Sequence, residues 1–230
     1  MNTFTGPFRL MMKEMSLTFY INATITFVLF VFYNFLGFIG ATESGGFILF
    51  GPIFFVFLLY PFINFSGYKY ILSLGGTRKQ FVLAMYLTAF LYSVISVLLL
   101  NSFYLITNLI NSTSNLFHLA ELVNSSNGLF YLWIDFSWII FLFSLGMIAK
   151  TIWFNYGSVI SLAGATLLLM ITIVIVVFGD ISWLFEFIFT NYLLFVTVLF
   201  VLSLVLLIFS YLLMLNAPLE KGNRLISNIR

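Results

Sequence analysis

The sequence contains no cysteine and very little charge: of 230 residues, only 7% are Asp, Glu, Lys or Arg. Without cysteine the chain cannot form disulfides, use a thiol as a nucleophile or hold a metal through thiolates. Soluble domains carry roughly 25% charged residues, so a chain that is 63% hydrophobic is not expected to fold in water. The net charge of +2 is small, and we expect no nucleic-acid partner.

Catalytic and cofactor-binding motifs are also missing. His118 is the only histidine, which excludes a two-His zinc site and argues against an intramembrane Ser-His protease. We expect this lone histidine to be solvated in an outer loop. No G-x-x-x-x-G-K-[ST] sequence is present to hold nucleotide phosphates, and no gap between apolar runs has the roughly 100 residues of a catalytic domain. We therefore predict a chain that is not an enzyme and binds no cofactor or metal.

What the chain does contain is a set of long apolar runs whose intervening gaps alternate in charge. The nine basic residues occupy alternate gaps: Arg9 and Lys13; Lys69, Arg78 and Lys79; Lys150; Lys221, Arg224 and Arg230. The other gaps carry only acids, among them Glu43, Glu121, Asp180 and Glu186. Basic residues are retained on the cytoplasmic side of membranes, so this pattern predicts six spans with both termini inside. The spans are predicted at 17–41, 47–66, 77–108, 129–149, 156–178 and 191–215.

Ionisable residues are nearly absent from these predicted spans. Ion-driven carriers place such residues at mid-bilayer despite their cost. Asp135 in the fourth span is the exception, about two turns from its outer end. It has two interpretations: an ordinary position at the outer interface, reached by water or headgroups, or a residue that lines a substrate pathway.

Residues 7–16 have the pattern of a short amphipathic helix. Phe8, Met11, Met12 and Met15 follow helical spacing, while Arg9 and Lys13 occupy another face. An apolar stripe with basic flanks favours the headgroup region of a membrane. We predict an interfacial helix here; the alternative is a frayed tail that carries charges determining the topology.

Two further segments have a recognisable packing pattern. Gly157, Ser161 and Ala165 form a small-xxx-small ladder, which allows helix backbones to approach closely in lipid. It indicates either a seam between subunits or a contact within one subunit. Residues 180–190 are rich in aromatics but too short to span, so they form either a re-entrant hairpin or an aromatic belt at the interface.

The segment between the second and third spans predicts a helix followed by a sharp stop. Tyr68 to Leu74 supply about two turns, and Gly75-Gly76 end them because glycine readily adopts a left-handed C-terminal cap. Thr77 and Gln80 have the spacing of a capping box for the next helix. Arg78 and Lys79 then lie at a helix N-terminus, where the helix dipole disfavours cations. Membrane topology or a docking partner must account for them.

The run Ser73-Leu74-Gly75-Gly76-Thr77-Arg78-Lys79-Gln80-Phe81 resembles the small-Leu-Gly-x-Ser/Thr-Arg-Lys-x-Phe stretch of bacterial type-2 ATP-binding-cassette (ABC) permeases. The six-span plan and the N-terminal amphipathic helix are similar over essentially the whole chain. The resemblance implies an all-α transmembrane permease subunit of an exporter in the bacterial cell membrane. Its partners would be two separate ATPase subunits, which bind ATP and Mg²⁺, a second permease copy or paralogue, and membrane lipid.

The resemblance also implies roles for individual residues. The region 67–76 with its flanking cations would be the coupling helix seated on the ATPase, a role carried by Tyr68, Lys69, Tyr70, Ile71, Leu74, Gly75, Gly76, Thr77, Arg78 and Lys79. The 7–16 helix, with Phe8, Arg9, Met12 and Lys13, would also approach the ATPase. The Gly157 ladder would lie near the permease dimer seam, and Asp180, Trp183 and Glu186 would shape an outer gate.

Small permeases of this kind often export amphipathic peptides, including cytolytic peptides of the phenol-soluble-modulin sort, or confer resistance to peptide antibiotics. An interior rich in phenylalanine (31 in all) suits apolar or amphipathic substrates. Two alternatives share this composition and topology. One is a membrane-embedded immunity or scaffold protein without an ATPase, and the other is a secondary carrier driven by an ion gradient.

Overall fold

The computed structural model describes residues 4–39, 47–110, 118–123 and 128–218. All secondary structure in these ranges is helical, as predicted. In chain order the α-helices are α1 Thr5–Phe38, α2 Phe47–Asn64, α3 Gly67–Ser73, α4 Arg78–Ile110, α5 Gly128–Tyr156, α6 Ser158–Phe178, α7 Ser182–Thr190 and α8 Tyr192–Leu215; the 3-10 helix Leu119–Val123 lies between α4 and α5. The predicted outer turn at Glu43 and the cations Lys221, Arg224 and Arg230 lie outside the described residues.

Five of these helices are long and apolar enough to cross a membrane: α1, α4, α5, α6 and α8. A sixth span is obtained if α2 and α3 count as one broken span, bent by 44°. The bend follows Pro61, whose ring displaces the backbone of the preceding turn. The fold is therefore that of a multi-pass membrane protein.

The N-terminal region differs from the prediction of a separate 7–16 helix. Residues 5–38 form one continuous α-helix of 34 residues, because no glycine or proline interrupts the chain from Phe8 to Leu36. Its polar side chains, such as Asn22 and Thr26, bond to carbonyls one turn back. At about 1.5 Å per residue the helix is about 51 Å long. It exceeds the ~30 Å hydrocarbon core of a bilayer.

Helix α5 lies at the centre of the bundle. It packs against α8, α2 and α4, and it joins α6 through Gly157. Helix α1 covers α2 and α4 on the far side. One core cluster of large side chains joins α1, α2, α3, α4 and α5, and a second, smaller one joins the 3-10 helix to α5 and α8.

The bundle has a basic end, which carries all six Lys and Arg residues that the structure describes. Arg9 and Lys13 lie at the start of α1, and the α2–α3–α4 junction packs against this part of α1. Lys150 lies over the rings of Phe62 and Phe65, at 5.4 and 5.7 Å from their centroids, next to α3. The basic residues that alternate along the sequence are thus brought together at one end of the folded bundle.

Candidate functional site

Helix α3 ends in the way that the sequence predicts. Gly75 has a φ of 83°, in the left-handed region. Its N–H bonds Leu72 O at 3.1 Å, and the N–H of Gly76 bonds Ile71 O at 2.8 Å, which together form a Schellman motif. This C-terminal stop is confirmed.

The capping box that begins α4 is also confirmed. Thr77 N–H donates to Gln80 Oε1 at 2.8 Å, and Gln80 N–H donates to Thr77 Oγ1 at 3.2 Å. Reciprocal bonds of this kind satisfy two amide groups that the first helical turn leaves unpaired. The turn between α3 and α4 is therefore defined at both sides by local hydrogen bonds.

One face of α3 is buried in the bundle. Tyr68 is fully buried, with ring centroids 5.2 Å from Phe81 of α4 and 5.0 Å from Phe154 of α5. Its hydroxyl donates to Pro218 O, just past α8, at 3.3 Å. Ile71, one turn further, is buried beside it. A single tyrosine thus connects α3 to α4, to α5 and to the segment that follows α8.

Two more contacts attach this junction. Arg78 donates from Nη1 to Leu215 O, the last residue of α8, at 3.3 Å. Gly67 packs so closely on α1 that an added Cβ would lie 2.5 Å from Met11 Cε. The buried face of α3 and its flanking residues therefore contact α1, α4, α5 and α8 together.

The other face of α3 is exposed at the basic end. Tyr70 is 65% and Leu74 86% exposed, and Lys69, Thr77 and Lys79 are exposed beside them. An exposed aromatic and an exposed leucine among cations have the composition of a protein contact surface. We call Lys69, Tyr70, Leu74, Thr77 and Lys79 the α3 face.

The first turns of α1 have the predicted two-sided character. Arg9 and Lys13 are exposed, while Phe8 and Met12 are half-buried against the main core. Met11 and Met15, in the same predicted stripe, are fully buried. Much of the apolar stripe therefore packs on protein, chiefly on α2, α3 and α4.

Helix α6, which carries Ser161 and Ala165, has no buried residue. It packs mainly against α5. Gly157 lies just before α6 and not inside it. Its backbone, with a φ of 85° and a ψ of 175°, is not helical and so separates α5 from α6. Among the described residues Ser161 is half-buried and Ala165 is exposed, so this face of α6 is only partly covered.

The opposite end of the bundle holds a buried polar cluster that the sequence did not reveal. Asp135 of α5 is fully buried. Its Oδ2 accepts a hydrogen bond from Asn101 Nδ2 of α4 at 2.8 Å and lies 3.2 Å from His118 Nε2. His118, just before the 3-10 helix, is also fully buried. The expectations of a solvated His118 and a water-reached Asp135 are therefore wrong.

The bonds of His118 identify its tautomer. Nδ1 accepts the backbone N–H of Ala120 at 3.0 Å, so the ring proton lies on Nε2 and is donated to Asp135. The imidazole is neutral in this arrangement, because a second proton on Nδ1 would face the amide of Ala120. Asp135 Oδ1 is buried and has no hydrogen-bond partner within the described ranges of the chain.

Aromatic side chains surround the imidazole of His118. The ring centroids of Tyr131, Phe50 and Tyr104 lie 4.6, 5.0 and 5.1 Å from that of His118. Tyr104 also donates from its hydroxyl to Glu121 Oε1 at 3.1 Å. We call Phe50, Tyr104 and Tyr131, which come from three different helices, the aromatic cage.

One signal in the sequence pointed to this cluster. An acid within an apolar span must find a partner, since an unpaired charge there is costly, and His118 is the only histidine of the chain. It precedes Leu119 and Ala120, which resemble a buried segment more than a solvated loop. The participation of Asn101, 34 residues from Asp135, had no signal because it depends on how α4 packs on α5.

Within residues 180–190, Ser182–Thr190 form a single nine-residue helix, α7. Asp180 accepts the N–H of Ser182 at 3.0 Å and its hydroxyl as well, and these hydrogen bonds lower the pKa of Asp180 below its usual value. Trp183 and Glu186 are exposed on α7. Two of the predicted outer-gate residues therefore lie on one short helix between α6 and α8, and Asp180 lies just before that helix.

An apolar groove of about 310 Å³ lies between α4 and α5. Its walls carry no polar side chain; they are formed by Val94, Val97, Leu98, Leu129, Leu132, Trp133 and Phe136. On α4 these residues precede Asn101, and on α5 they flank Asp135. The groove is therefore next to the polar cluster on both helices.

One partly buried acid was not predicted from the sequence. Glu14 of α1 is half-buried near Gly67, and its Oε2 has no hydrogen-bond partner. It lies outside the predicted first span but inside the observed helix. Among the residues that the structure describes, no group of three His, Asp or Glu side chains is arranged to hold a metal ion.

These observations define the class of protein: an all-helical, multi-pass membrane protein with one basic end. Comparison with known proteins adds no family, since no family model, no curated protein and no solved structure matches the chain.

Proposed function

We propose that the chain is the permease subunit of an ATP-driven ABC exporter, working as a pair with two ATPase subunits. The observation that carries this proposal is the α3 junction. Its inner face contacts four other helices, while the α3 face presents exposed tyrosine, leucine and lysine side chains at the basic end. A partner that presses on this face moves a junction shared by α1, α4, α5 and α8.

The chain supplies no nucleotide chemistry in this proposal. ATP and Mg²⁺ are held by the ATPase subunits, and nucleotide binding brings those subunits together beneath the permease pair. The displacement passes through Tyr68 and Arg78 to the ends of α5 and α8. The membrane in this proposal is the bacterial cell membrane, with the basic end in the cytoplasm.

The second permease, a copy or a paralogue, would cover α6. Fully exposed apolar helices also face lipid, but the exposed Ala165 and half-buried Ser161 allow a closer approach than large side chains would. The substrate class that suits the groove between α4 and α5 is an amphipathic or apolar peptide, since the walls offer apolar contact and no hydrogen bonds.

The experiment that tests the function is co-purification of the chain with an ATPase subunit from its own cells, followed by an assay of vanadate-sensitive ATP hydrolysis. The double variant Tyr70→Ala/Lys79→Glu changes only exposed side chains of the α3 face. We expect it to retain the fold and to lower chain-stimulated hydrolysis on the order of tenfold or more, as loss of an interface hot spot does. Phe38→Ala/Leu109→Ala, which truncates two exposed side chains at the far ends of α1 and α4, is the matched control and should leave hydrolysis unchanged.

The outcome separates the alternatives. A chain that recruits no ATPase and transports nothing is an immunity or scaffold protein. Transport that continues without ATP and stops when the ion gradient is abolished identifies a secondary carrier. Hydrolysis that the α3-face variant does not affect would remove α3 from the coupling role.

The orientation of the chain in the membrane can be tested separately by cysteine labelling. The wild-type sequence has no cysteine, so each introduced cysteine is the only one that can react. Single cysteines replacing Lys150 and Glu186 lie at opposite ends of the bundle. In intact cells a membrane-impermeant maleimide should label Glu186→Cys and not Lys150→Cys, because basic residues are retained inside. Both should react after the cells are permeabilised. Labelling of Lys150→Cys alone in intact cells would reverse the proposed topology.

A further inference from the structure

The cluster around His118 has features that its structural role does not explain. Burying a carboxylate is costly unless it is paired and hydrogen-bonded. Oδ2 of Asp135 makes both hydrogen bonds to His118 and Asn101, and the buried Oδ1 has no partner among the residues that the structure describes. The neutral imidazole of His118 supplies a hydrogen bond but no opposite charge.

No cation compensates this acid within the described part of the chain, whose six Lys and Arg residues all lie at the basic end. Glu121 adds a second acid beside Tyr104, with 3.1 Å between the hydroxyl and Oε1. The cluster thus has an acidic character, and the rings of the aromatic cage surround the position that the imidazole occupies.

A carboxylate beside several aromatic rings is an arrangement that binds an ammonium or guanidinium group. Ring faces attract cations within about 6 Å of the centroid, most strongly where water is excluded. The three rings of the cage lie 4.6 to 5.1 Å from the centre of the imidazole. A cationic side chain placed there would gain the rings and the unpartnered oxygen of Asp135 together.

We propose that the aromatic cage and Asp135 form a binding site for a Lys or Arg side chain of an amphipathic peptide, which His118 occupies when no peptide is bound. This inference rests on the proposed function and specifies its substrate as cationic. The 3-10 helix that follows His118 is only five residues long. The imidazole is therefore the part of the cluster that can leave without moving α4 or α5.

The neighbouring groove suits the apolar face of the same peptide. Val97 lies one helical turn before Asn101 on α4, and Leu132 lies one turn before Asp135 on α5. Side chains three or four residues apart on a helix share one face. An amphipathic helix with leucines in the groove would thus present its next basic side chain to the cage, so charge and apolar surface favour one ligand.

The test is direct binding to the full-length chain in a non-ionic sugar detergent, without ATP, ATPase or lipid headgroups. The probes are a fluorescent Leu/Lys amphipathic helix and the same peptide with every Lys replaced by Gln, followed by anisotropy. We expect the wild-type chain to bind the Lys peptide about tenfold or more tightly than the Gln peptide. Asp135→Asn should abolish this difference, and Thr197→Val, a nearly isosteric change of an exposed side chain on α8, should preserve it.

His118→Ala distinguishes a binding site from a structural latch. If the imidazole competes with the peptide, its removal should strengthen Lys-peptide binding severalfold. If the cluster only holds the 3-10 helix in place, His118→Ala will weaken binding or leave it unchanged, and the proposal fails. Equal affinity of wild-type and Asp135→Asn chains for the Lys peptide would also overturn it.

A folding control keeps the test decisive. Each variant is first compared with wild type by thermal unfolding. If Asp135→Asn does not fold, Tyr131→Leu decides the question, because it removes one cage ring and leaves the hydrogen bonds of Asp135 intact. It should lower Lys-peptide affinity severalfold without affecting the Gln peptide, and an unchanged affinity would reject the site. Because no ATPase is present, failure here is distinct from failure of the proposed function.

Discussion

Replacing Gly146 by Ala should lower the unfolding temperature of the chain in detergent by several degrees. Gly146 of α5 faces the backbone of α2, and an added Cβ would lie 2.1 Å from Leu58 O and 3.0 Å from Leu58 C. Neither atom can move without shifting a helix. Overpacking of this kind costs about 1–3 kcal/mol or more, and about 2–4 °C of melting temperature accompany each kcal/mol in a chain of this size.

The matched control is Gly164→Ala in the interior of α6, where an added Cβ meets nothing within 4 Å. Alanine has the higher helix propensity, so this variant should unfold at the wild-type temperature or slightly above it. Fluorescence-detected size exclusion after heating measures both. Equal unfolding temperatures for the two variants would show that α2 and α5 are not in close backbone contact.

Replacing Tyr68 by Ala should destabilise the chain by about 3–5 kcal/mol, the usual cost of truncating a buried aromatic. Tyr68 is fully buried between Phe81 and Phe154, and its hydroxyl reaches Pro218 O. The variant would leave a cavity at the α3 junction and remove the hydrogen bond to Pro218, three residues past the end of α8. The measurement is again the unfolding temperature in detergent.

Tyr70→Ala is the control on the same helix, two residues away. Tyr70 is 65% exposed, so its truncation should leave the unfolding temperature within about a degree of wild type, as surface substitutions usually do. The two variants separate stability from coupling: Tyr68 anchors α3, and Tyr70 belongs to the surface proposed to meet the ATPase. If both variants unfold alike, α3 is not docked through Tyr68.

Local signals in the sequence predicted most helix boundaries to within a few residues. The stop at Gly75 and the cap at Thr77 depend only on residues within one turn of each other, and both are present in the structure. The prediction that separated the 7–16 helix from the first span did not match the structure. Amphipathicity changes along α1, but no helix breaker accompanies the change, so the backbone continues.

One of the two candidate sites could be predicted from the sequence, and the other could not. The α3 segment was recognisable because its turn residues and cations are contiguous in the sequence. The buried polar cluster was not recognisable, because Asn101, His118 and Asp135 come from separate elements that pack side by side. The requirement for glycine at position 146 also could not be predicted, because it depends on how closely the partner helix α2 packs there. Glycine in a transmembrane helix has many uses, and only the position of Leu58 O identifies this one.

Composition, the alternation of charge and the spacing of helix stops established from the sequence alone that the chain is helical and crosses a membrane several times, because these properties follow from hydrophobicity and from interactions within a few residues. The tertiary structure alone decided which polar side chains are buried together, which face of α3 is exposed and that α6 has no buried residue. Those outcomes depend on contacts between residues far apart in the chain, which no local pattern encodes.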